Sequence, residues 1–594
     1  MKKPRTPLIS IFKDFYPLKE YFIQNRLALF IGFICLLSVD FLQLIVPLII
    51  KRAIDSLTIK TATTTVLLKY AIIILVIALM IAILRFFWRL LVIGHSRKVE
   101  EKLRNRLFQH LETLSLSFYQ KTKTGDIMAR SINDIMAVRM AAGMGLVAFI
   151  DSLILGIAAI CFMVYINPYL TLLSLLPAPF VIFLARRLTR RMSSGHENVQ
   201  KKFSDLTERV RESFAGIRIV KSFSREPWEY HRVESEGKLY LSANMKLTKI
   251  VAFFFPMMAL FTNLGLAIVL WYGGRLTILD HITTGDFVAF IGYLNLLTWP
   301  MMAIGWVTNL FQRGSASMRR INSILEETPE ITGPAVSVDI KPPAGEIEFR
   351  GISFTYPGKT EYALKNISMT IERGQTVSLV GRVGSGKTTL LNTIPRLLEI
   401  QQGLILIDGR NIRDYPLKTL RENVGFVTQD AIIFSDTIRN NVLFGRGNIS
   451  DETLLNALKV AGIYDEILSL DKGLDTILGE RGVTLSGGQR QRLTIARAII
   501  ADPPILMIDD SMSMIDTGTE ESILNMLLSL REDKTNLIIS HRLSTIRRAG
   551  IIAVMDNGEL VEMGDHENLL KKGNVFARLY KRQVLAQELE MTER

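Results

Sequence analysis

A glycine-rich segment that ends in a lysine and two threonines is the pattern with the clearest chemistry in this chain. The segment GRVGSGKTT runs from Gly381 to Thr389. It follows a short apolar stretch, residues 376–380, that is predicted to be a strand, and it precedes a run with helical periodicity. Glycines let backbone N–H groups wrap around phosphate oxygens, and Lys387 can reach the β- and γ-phosphates. The pattern therefore predicts a nucleoside triphosphate site.

Two adjacent carboxylates follow a second apolar stretch, in the segment ILMIDD from Ile505 to Asp510. Asp509 is placed to hold Mg²⁺ through its water shell, and Thr388 would supply a hydroxyl ligand. Asp510 stands where a carboxylate can position the water that attacks the γ-phosphate. An apolar strand that ends in acids is weak evidence by itself. Beside a phosphate loop it predicts ATP hydrolysis.

The composition indicates a membrane protein with a large second part. The chain has 594 residues, 48% of them hydrophobic and 22% charged, and its mean hydropathy is +0.25. This length is too great for one hydrophobic core and predicts two or more domains. The formal charge of +14 could indicate nucleic-acid binding. However, much of the basic excess flanks apolar stretches, as positive-inside membrane topology requires. We therefore expect a lipid bilayer as a partner, and no nucleic acid.

Six stretches are apolar enough to cross a bilayer, which takes about 20 residues each. They cover residues 27–50, 67–93, 143–166, 169–185, 250–272 and 287–311. Only Asn167 and Pro168 separate the third stretch from the fourth, which predicts a hairpin at the outer surface. The long segments before the third and after the fourth stretch are basic, so we expect them and both chain termini to be cytoplasmic. Asp40 lies in the middle of the first stretch and is a candidate for facing a water-filled cavity.

The composition changes after Gln312, and we use this change to place the predicted domain boundaries. Residues 1–325 are predicted to form the transmembrane domain. Residues 326–344 contain four prolines and no helical period, which is typical of a linker. From residue 345 to 582, short β-branched stretches alternate with helical ones, which predicts an α/β domain, and residues 583–594 are left as a C-terminal tail.

A third motif, LSGGQRQR from Leu485 to Arg492, has no counterpart in ordinary phosphate-loop enzymes. With it, the soluble half resembles the nucleotide-binding domain of an ATP-binding cassette (ABC) transporter. Further marks of that family are present in order. They are an aromatic residue in SFTYPG, a glutamine in FVTQD, the loop TILGERG at 476–482, SMID at 513–516 and a histidine in ISHRLS.

The resemblance implies a set of residues that bind ATP and Mg²⁺. The nucleotide would contact Tyr356, Gly381, Gly384, Ser385, Gly386, Lys387, Thr388, Thr389, Ser486, Gly487, Gly488 and Gln489. The metal would be held by Thr388, Gln429 and Asp509, and the catalytic residues would be Asp510, His541 and Gln429. In this family each ATP lies between the phosphate loop of one cassette and the signature motif of another. Ser486 and Gly488 are therefore expected to contact ATP that a partner holds.

Over its whole length the chain resembles an exporter half-transporter, as in bacterial multidrug and lipid exporters. The fold class that this implies is an all-α six-helix transmembrane domain of the ABC exporter type, followed by an α/β P-loop NTPase domain. FYQKTKTGD at 118–126 and ESFAGIRIVKSF at 212–223 resemble the two coupling helices that dock on cassettes. The expected protein is a multi-pass plasma-membrane exporter of amphipathic small molecules, with a second half-transporter as its partner.

Asp510 departs from the family, which has glutamate at this position. The shorter side chain withdraws the carboxylate by about 1 Å, and a misplacement of that size can cost on the order of 100-fold in rate. Ser511-Met512 and Met514-Ile515 also replace the usual Ala-Thr and Ala-Leu. These departures resemble the degenerate subunit of a heterodimeric exporter, whose intact signature completes the partner's site. The alternative is a homodimeric exporter or lipid flippase that hydrolyses ATP slowly through Asp510.

Three other function classes share parts of this pattern. A soluble ABC ATPase that acts on nucleic acid lacks the six apolar stretches that precede this cassette. An ATP-gated channel on the same fold stays open as an alternative, although no regulatory insertion suggests it. An importer is disfavoured because the membrane and cassette domains are fused in the exporter order. The sequence does not identify the substrate beyond an amphipathic drug-like molecule or lipid.

Overall fold

The computed structural model describes residues 13–59, 61, 63–334, 341–447, 449–479 and 485–592. These residues divide into two compact units. The first unit contains the chain up to Glu112 together with Thr124–Glu327. The second contains Thr113–Lys123 and the chain from Thr328 onward. In the described part of the chain, the first unit is helical and both β-sheets lie in the second.

Long helices build the first unit. Its α-helices are Lys19–Gln24, Arg26–Thr58, Thr64–Trp88, Gly94–Thr113, Thr124–Ala129, Ile135–Met140, Leu146–Ile166, Pro168–Ser174, Ala178–Ala215, Ile217–Ser222, Glu226–Ile268, Gly274–Ile278 and Thr284–Leu325. Short π-helical stretches continue four of these helices, at Arg89–Ile93, Arg130–Asp134, Ala141–Gly145 and Val269–Gly273. Extra residues in a helical turn of this kind shift the face that the helix presents to its neighbours.

Four helical runs are long and apolar enough to cross a membrane. They are Arg26–Thr58, Thr64–Thr113, Thr124–Ile166 and Thr284–Leu325, and they contain four of the six predicted spans. The predicted spans at 169–185 and 250–272 lie on other helices of the same unit. Each of the four runs is longer than the roughly 20 residues that a bilayer requires, so each extends beyond one membrane thickness.

The predicted fourth span is not one continuous helix. A first helix ends at Ser174, a turn follows, and a second helix begins at Ala178. Pro177 has no backbone N–H to donate, which favours a break at this point. The predicted turn before this region is present, since the Asn167 side chain accepts a hydrogen bond from the Leu170 backbone N–H at 2.9 Å and so caps the first helix.

Short helices occupy both segments that resemble coupling helices. Leu116–Lys121 overlaps the first segment, and Ile217–Ser222 lies within the second. The first of them groups with the second compact unit. In that unit the hydroxyl of Ser115, just before the helix, donates to the Glu330 carboxylate at 3.2 Å. The coupling role of these helices stays a prediction.

Two sheets form the framework of the second unit. The strands are β1 Ile347–Phe354, β2 Leu364–Ile371, β3 Thr376–Gly381, β4 Gln402–Ile407, β5 Arg410–Asn411, β6 Val424–Val427, β7 Ile505–Asp509, β8 Thr535–Ile539, β9 Ile551–Asp556 and β10 Glu559–Gly564. An antiparallel sheet has the order β2-β1-β4-β5. The larger sheet has the order β10-β9-β3-β8-β7-β6, and its strands from β9 to β6 are parallel.

The second unit also contains α-helices, several of which pack against these sheets. They are Leu116–Lys121, Lys387–Thr393, Leu417–Glu422, Ile438–Leu443, Asp451–Val460, Tyr464–Leu468, Gly487–Ile499, Thr517–Leu530, Leu543–Arg548, His566–Lys572 and Val575–Thr592. The last helix runs through most of the segment that the sequence left as a tail. Three-residue 3₁₀ turns lie at Ile412–Asp414 and Gly473–Asp475.

The parallel strands are apolar at successive positions because the larger sheet is buried on both faces. Every residue of β7 and of β8 is buried. Met507 and Leu537 point into the core shared with the antiparallel sheet. Ile508 and Ile538, one position later, point into a second core formed with the helices. This two-sided burial explains why the ILMID run shows no alternation of apolar and polar residues.

Candidate nucleotide site

Four segments of the predicted site follow the carboxyl ends of four neighbouring strands. The phosphate loop follows β3, His541 follows β8, Asp510 follows β7 and Gln429 follows β6. Since parallel strands end at one edge of a sheet, these segments converge there, where open α/β sheets commonly bind ligands. A cavity of about 300 Å³ lies at this edge. Its lining includes Tyr356, Gly384, Ser385, Gly386, Lys387, Thr388, Thr389, Gln429, Asp509, Asp510 and His541.

The phosphate loop has a backbone that other residues could not adopt without strain. Gly386 has φ +97°, in the left-handed region. A Cβ atom at this position would lie 2.5 Å from the carbonyl oxygen of Ala363. At the start of the loop, a Cβ on Gly381 would lie 2.2 Å from the carbonyl oxygen of Met555. Both glycines are therefore required by close backbone approaches, and Gly381 supports the cavity from behind rather than lining it.

Lys387 holds the phosphate loop closed on itself. Its Nζ donates to the carbonyl oxygens of Gly381 and Arg382, at 2.8 Å each. The residue is buried, and burial lowers the pKa of the ammonium despite the opposing charges of Asp509 and Asp510. An ammonium that is partly desolvated and fixed at the centre of the loop is well placed to attract an anionic phosphate chain.

Oxygen ligands suited to a hard cation lie side by side in the cavity. The Thr388 hydroxyl donates to the Asp509 carboxylate at 3.1 Å. Burial raises the pKa of the buried Asp509 carboxyl, while the Thr388 hydrogen bond opposes that rise. Gln429 lines the same cavity from an exposed loop. In the described part of the chain, no group of three His, Cys, Asp or Glu side chains could hold a metal alone. The donor set fits Mg²⁺, which usually takes one or two carboxylates and completes its shell with phosphates and water.

Asp510 is held in an unusual backbone conformation at the end of β7. Its φ is +41°, and its backbone N–H donates to the carbonyl oxygen of Ile539 at 3.0 Å. Aspartate tolerates the left-handed region better than most residues do. Burial raises the pKa of the half-buried carboxyl, and nearby basic side chains, His541 first among them, oppose the rise. The Asp510 side chain lines the cavity together with His541, the residue with which it is expected to act.

Tyr356 lies beside the phosphate loop. Its hydroxyl is 3.0 Å from the Thr389 hydroxyl, and its ring meets the Phe354 ring edge-on, with centroids 5.0 Å apart. These contacts fix the orientation of the ring while the side chain remains half-buried in the cavity wall. An aromatic ring fixed in this way can stack on a purine base.

We expect Tyr356→Ala to weaken ATP binding by about 10-fold, because the stacking surface is lost. Tyr356→Phe is the matched control and should bind ATP nearly as well as the wild type, because the missing hydroxyl bonds to Thr389 and not to the base. The dissociation constant of a fluorescent ATP analogue, measured by competition with ATP, checks both variants. Equal affinity for ATP in the wild type and in Tyr356→Ala would show that the ring does not bind adenine.

The signature motif begins a helix elsewhere in the unit. Ser486 is the N-cap of Gly487–Ile499, and its hydroxyl accepts from the Gln489 backbone N–H at 3.2 Å. The Gln489 side chain in turn accepts from the Ser486 N–H at 2.8 Å, which completes a capping box. None of the residues from Ser486 to Gln489 lines the cavity described above. Residues 480–482 of the predicted TILGERG loop lie outside the described residues.

The SMID segment lies directly on the start of the signature helix. The Met514 backbone N–H donates to the Gln491 side chain at 2.9 Å. A Cβ on Gly487 would lie 2.7 Å from the Met514 sulfur, and one on Gly488 would lie 3.0 Å from its carbonyl oxygen. The glycines of the signature thus allow SMID to pack closely against this helix. The exposed residue Met514 takes part in this contact, although the motif pattern alone does not predict that it does.

Arg542 is a residue that the sequence did not single out. Its guanidinium donates to the carbonyl oxygens of Ser513 and Ile515, at 3.1 and 2.7 Å, and pairs with the carboxylate of Glu520. Glu520 has no exposed surface, and it also accepts a hydrogen bond from the Thr545 hydroxyl at 2.7 Å. Arg542 therefore ties the SMID segment to the loop that carries the adjacent His541. The sequence shows that these residues are charged or polar, but it does not show which of them pair.

We expect Glu520→Ala to lower the stability of the cassette by about 3 kcal/mol, because breaking a buried pair leaves its partner charge without compensation. For a domain of this size that corresponds to a fall of about 6–12 °C in Tm. Glu559→Ala is the matched control, since it removes the exposed Lys365–Glu559 pair and should cost no more than about 1 kcal/mol. Thermal unfolding of the solubilised chain measures both variants, and equal shifts would contradict a buried structural pair.

Comparison with known proteins covers both halves of the chain. Residues 29–301 match the family model of the ABC transporter transmembrane region, and residues 364–513 match a family model described as "ABC transporter". The chain is 35% identical over 568 residues to the probable multidrug resistance ABC transporter ATP-binding/permease protein YheI of Bacillus subtilis (strain 168), covering 96% of each chain. It is also 33% identical over 554 residues to the ATP-dependent lipid A-core flippase of Syntrophus aciditrophicus (strain SB), covering 93% of this chain and 92% of that one.

A solved structure shows the same architecture. It is a bacterial Atm1-family ABC exporter with ATP bound, with a TM-score of 0.76 and 26% sequence identity. The match covers 95% of this chain and 98% of that one. The expected fold class, a helical transmembrane domain followed by an α/β nucleotide-binding domain, is thereby confirmed. The chain belongs to the exporter-type ABC transporters and is a multi-pass membrane protein whose cassette binds and hydrolyses ATP.

Proposed function

We propose that this chain is one half of a dimeric exporter that moves amphipathic small molecules, drug-like or lipid, out across the plasma membrane. Relatives over more than 90% of the chain carry the names of a multidrug transporter and of a lipid flippase, which supports this substrate class. The basic segments next to the apolar stretches support a topology with both termini and the cassette in the cytoplasm.

The observation that supports a dimer is that the signature motif lies away from the nucleotide cavity of its own chain. The cavity holds the phosphate loop, Asp509, Asp510 and His541, but Ser486 and Gly488 lie outside its lining. A motif that is intact and yet unused by the chain's own cavity is explained if it faces ATP held by a second cassette. Each complete site would then contain the phosphate loop of one chain and the signature of the other.

The described residues support the following sequence of events. Lys387 and the loop amides bind the phosphate chain, and Tyr356 orients the base. Binding favours the closed cassette dimer because ATP gains contacts with a second signature only in that state. We assign Thr388, Gln429 and Asp509 to hold Mg²⁺, which when bound neutralises charge on the β- and γ-phosphate oxygens. The short helices Leu116–Lys121 and Ile217–Ser222 would carry closure to the membrane helices.

Hydrolysis in this chain's own site depends on Asp510. Its carboxylate lines the cavity with His541, but it is one methylene shorter than the usual glutamate. At φ +41° the backbone is fixed by a hydrogen bond to β8, so it does not shift freely to restore the lost reach. We therefore infer a slow site in this chain, together with a signature that completes a faster site in a different partner chain.

A homodimer with slow hydrolysis is the second candidate. It is favoured by the otherwise complete cavity, in which the phosphate loop, Asp509 and His541 all meet. In that case two identical slow sites would drive the transport of lipid or drug. The number of different chains in the purified transporter separates the two candidates.

The experiment that tests the exporter proposal uses the chain purified from its native cells with whatever partner accompanies it. Proteoliposomes with outward-facing cassettes are given ATP and a fluorescent amphipathic dye. We expect ATP-dependent uptake into the lumen, and its loss in the Lys387→Ala variant. ATP-dependent entry that stops once the dye concentrations inside and outside are equal would contradict export and favour an ATP-gated channel.

A further inference from the structure

The loop that carries His541 is short and lies between two regular elements. β8 ends at Ile539, and the helix Leu543–Arg548 begins two residues after His541. The His541 side chain is exposed and lines the nucleotide cavity. Because little packing surrounds this side chain, the direction of its imidazole depends on how firmly the backbone of the loop is held. A catalytic group needs such support, since a displacement of about 1 Å can cost on the order of 100-fold in rate.

One contact to that backbone comes from the C-terminal helix, Val575–Thr592. The side-chain amide of Gln583 donates a hydrogen bond through Nε2 to the carbonyl oxygen of His541. Gln583 is half-buried, and it is the first residue of the segment that the sequence left as a tail. The structure therefore places the donor 42 positions along the chain from the histidine whose backbone it holds.

The C-terminal helix is itself fixed on a neighbouring helix of the cassette. Tyr580 lies three residues before Gln583, so the two side chains share one face of the C-terminal helix. The guanidinium of Arg547, on the helix after the histidine loop, donates through Nε to the Tyr580 hydroxyl at 2.9 Å and lies over its ring, 5.6 Å from the centroid. Phe576 and Ile546 are buried in one core. Gln583 is therefore presented from a firmly packed helix.

A second tie reaches the histidine loop from another part of the cassette. Arg542 follows His541 directly, and its guanidinium holds the SMID segment and Glu520. These contacts hold the residue after the histidine, whereas Gln583 holds the carbonyl of the histidine itself. Loss of the Gln583 contact would therefore leave the loop in place but its histidine less precisely directed.

We propose that Gln583 is a positioning residue for ATP hydrolysis, whose hydrogen bond to the His541 carbonyl directs the imidazole toward the transferred phosphate. The C-terminal helix is thereby a functional part of the ATP site, although no described residue of this helix lines the cavity. The inference rests on the catalytic role proposed for His541 and adds the residue through which the cassette fixes it. A glutamine suits this task because its amide supplies the donor that a carbonyl oxygen requires and stays neutral.

The test measures the rate of a single hydrolysis by the purified full-length chain, which is mixed in excess with radiolabelled ATP and Mg²⁺. We expect Gln583→Ala to lower this rate by about 10-fold, less than a full 1 Å displacement would, because the Arg542 contacts remain. Gln583→Glu should lower it at least as much, because the carboxylate has the same size but no proton to donate. Gln583→Lys should recover most of the rate, because the ammonium again provides a donor.

Two further readouts separate positioning from a general loss of structure. ADP lacks the phosphate at which His541 is expected to act, so its dissociation constant should be the same in the wild type, Gln583→Ala and Gln583→Glu. In the His541→Ala background, Gln583→Ala should lower the rate no further, because both changes remove one function. Arg582→Ala is the matched control, since Arg582 is an exposed residue of the same helix, and it should leave the rate and the ADP affinity unchanged.

Wild-type rates in both Gln583→Ala and Gln583→Glu would overturn the inference. So would a further loss of about 10-fold in the His541→Ala background, which would mean that Gln583 acts independently of the histidine. If His541→Ala itself hydrolyses ATP at the wild-type rate, the catalytic role proposed for His541 falls and the positioning role falls with it. If His541→Ala is slow while the Gln583 variants match the wild type, only the positioning role falls. None of these outcomes bears on dye transport, which tests the export proposal separately.

Discussion

Replacing Asp510 with glutamate is expected to raise the ATP turnover of this chain's own site by about 100-fold. The added methylene returns the carboxylate by about 1 Å toward the attacking water, and a displacement of that size is worth on the order of 100-fold in rate. The cavity already supplies the other groups, since Lys387, Thr388 and His541 line it together with Asp510. The measurement is kcat for phosphate release by the purified chain, with saturating ATP and Mg²⁺.

The matched control adds the same methylene one residue earlier. Asp509→Glu should lower turnover, because the carboxylate that accepts the Thr388 hydroxyl at 3.1 Å is then displaced from the metal position. The backbone at Asp510 has φ +41°, so the stability of Asp510→Glu must be compared by thermal unfolding. A folded Asp510→Glu variant with unchanged kcat would show that the aspartate is not what limits this site.

Ser486→Arg in this chain is expected to lower the ATPase rate of the assembled transporter by at least about 100-fold. The signature serine faces the partner's ATP in the proposed dimer, and a bulky side chain there prevents the donors from reaching the γ-phosphate. ATP binding to this chain's own cavity should be unchanged, because Ser486 does not line it. The two readouts are steady-state phosphate release and the equilibrium affinity for ATP.

Ser450→Arg is the matched control for the local effect of this change. Ser450 caps the helix Asp451–Val460 as Ser486 caps the signature helix, with its hydroxyl accepting from Thr453 at 3.2 Å. Both substitutions therefore lose an N-cap, worth about 1 kcal/mol. Only the signature variant should lose activity. Similar activity losses in the two variants would indicate a folding effect and would contradict the proposed role of the signature.

The sequence predicted the framework of the site because that framework is local. A strand, a glycine-rich loop and a helix follow one another between residues 376 and 393, and the structure has them in that order. Parallel pairing then brings the ends of β3, β8, β7 and β6 to one edge, so residues more than 100 positions apart line one cavity.

Side-chain contacts between distant segments were not predictable in the same way. The Arg542–Glu520 pair and the contact of Met514 with Gly487 depend on how loops pack against helices, and no periodicity encodes this. The break near Pro177 was missed because the apolar composition continues through it. The left-handed backbone of Asp510 also has no signal in the sequence, since aspartate occupies both regions of backbone space.

In the membrane unit, too, some features were predictable from the sequence and others were not. Apolar length predicted six spanning stretches, and four of them lie in helices that are long and apolar enough to cross a membrane. The position of Asp40 in the first stretch predicted that it faces a water-filled cavity, but Asp40 is buried and is not among the residues that line the cavity beside Val39 and Gln43. The proximity of Asp40 to Asp151 and Arg85 required three helices to be placed together. A sequence pattern places charges along a helix, but it does not place them across helices.

A single-turnover experiment tests the division of labour most directly. The transporter, purified from its native cells as the intact dimer, is loaded with radiolabelled ATP in both sites without Mg²⁺, and hydrolysis is started with Mg²⁺ and an excess of unlabelled ATP. If this chain holds a slow site and completes a fast one in its partner, about half of the label is released in a fast phase and the other half stays as ATP for many turnovers. Release of all the label in one phase would mean that the two sites are equivalent, and would contradict the account.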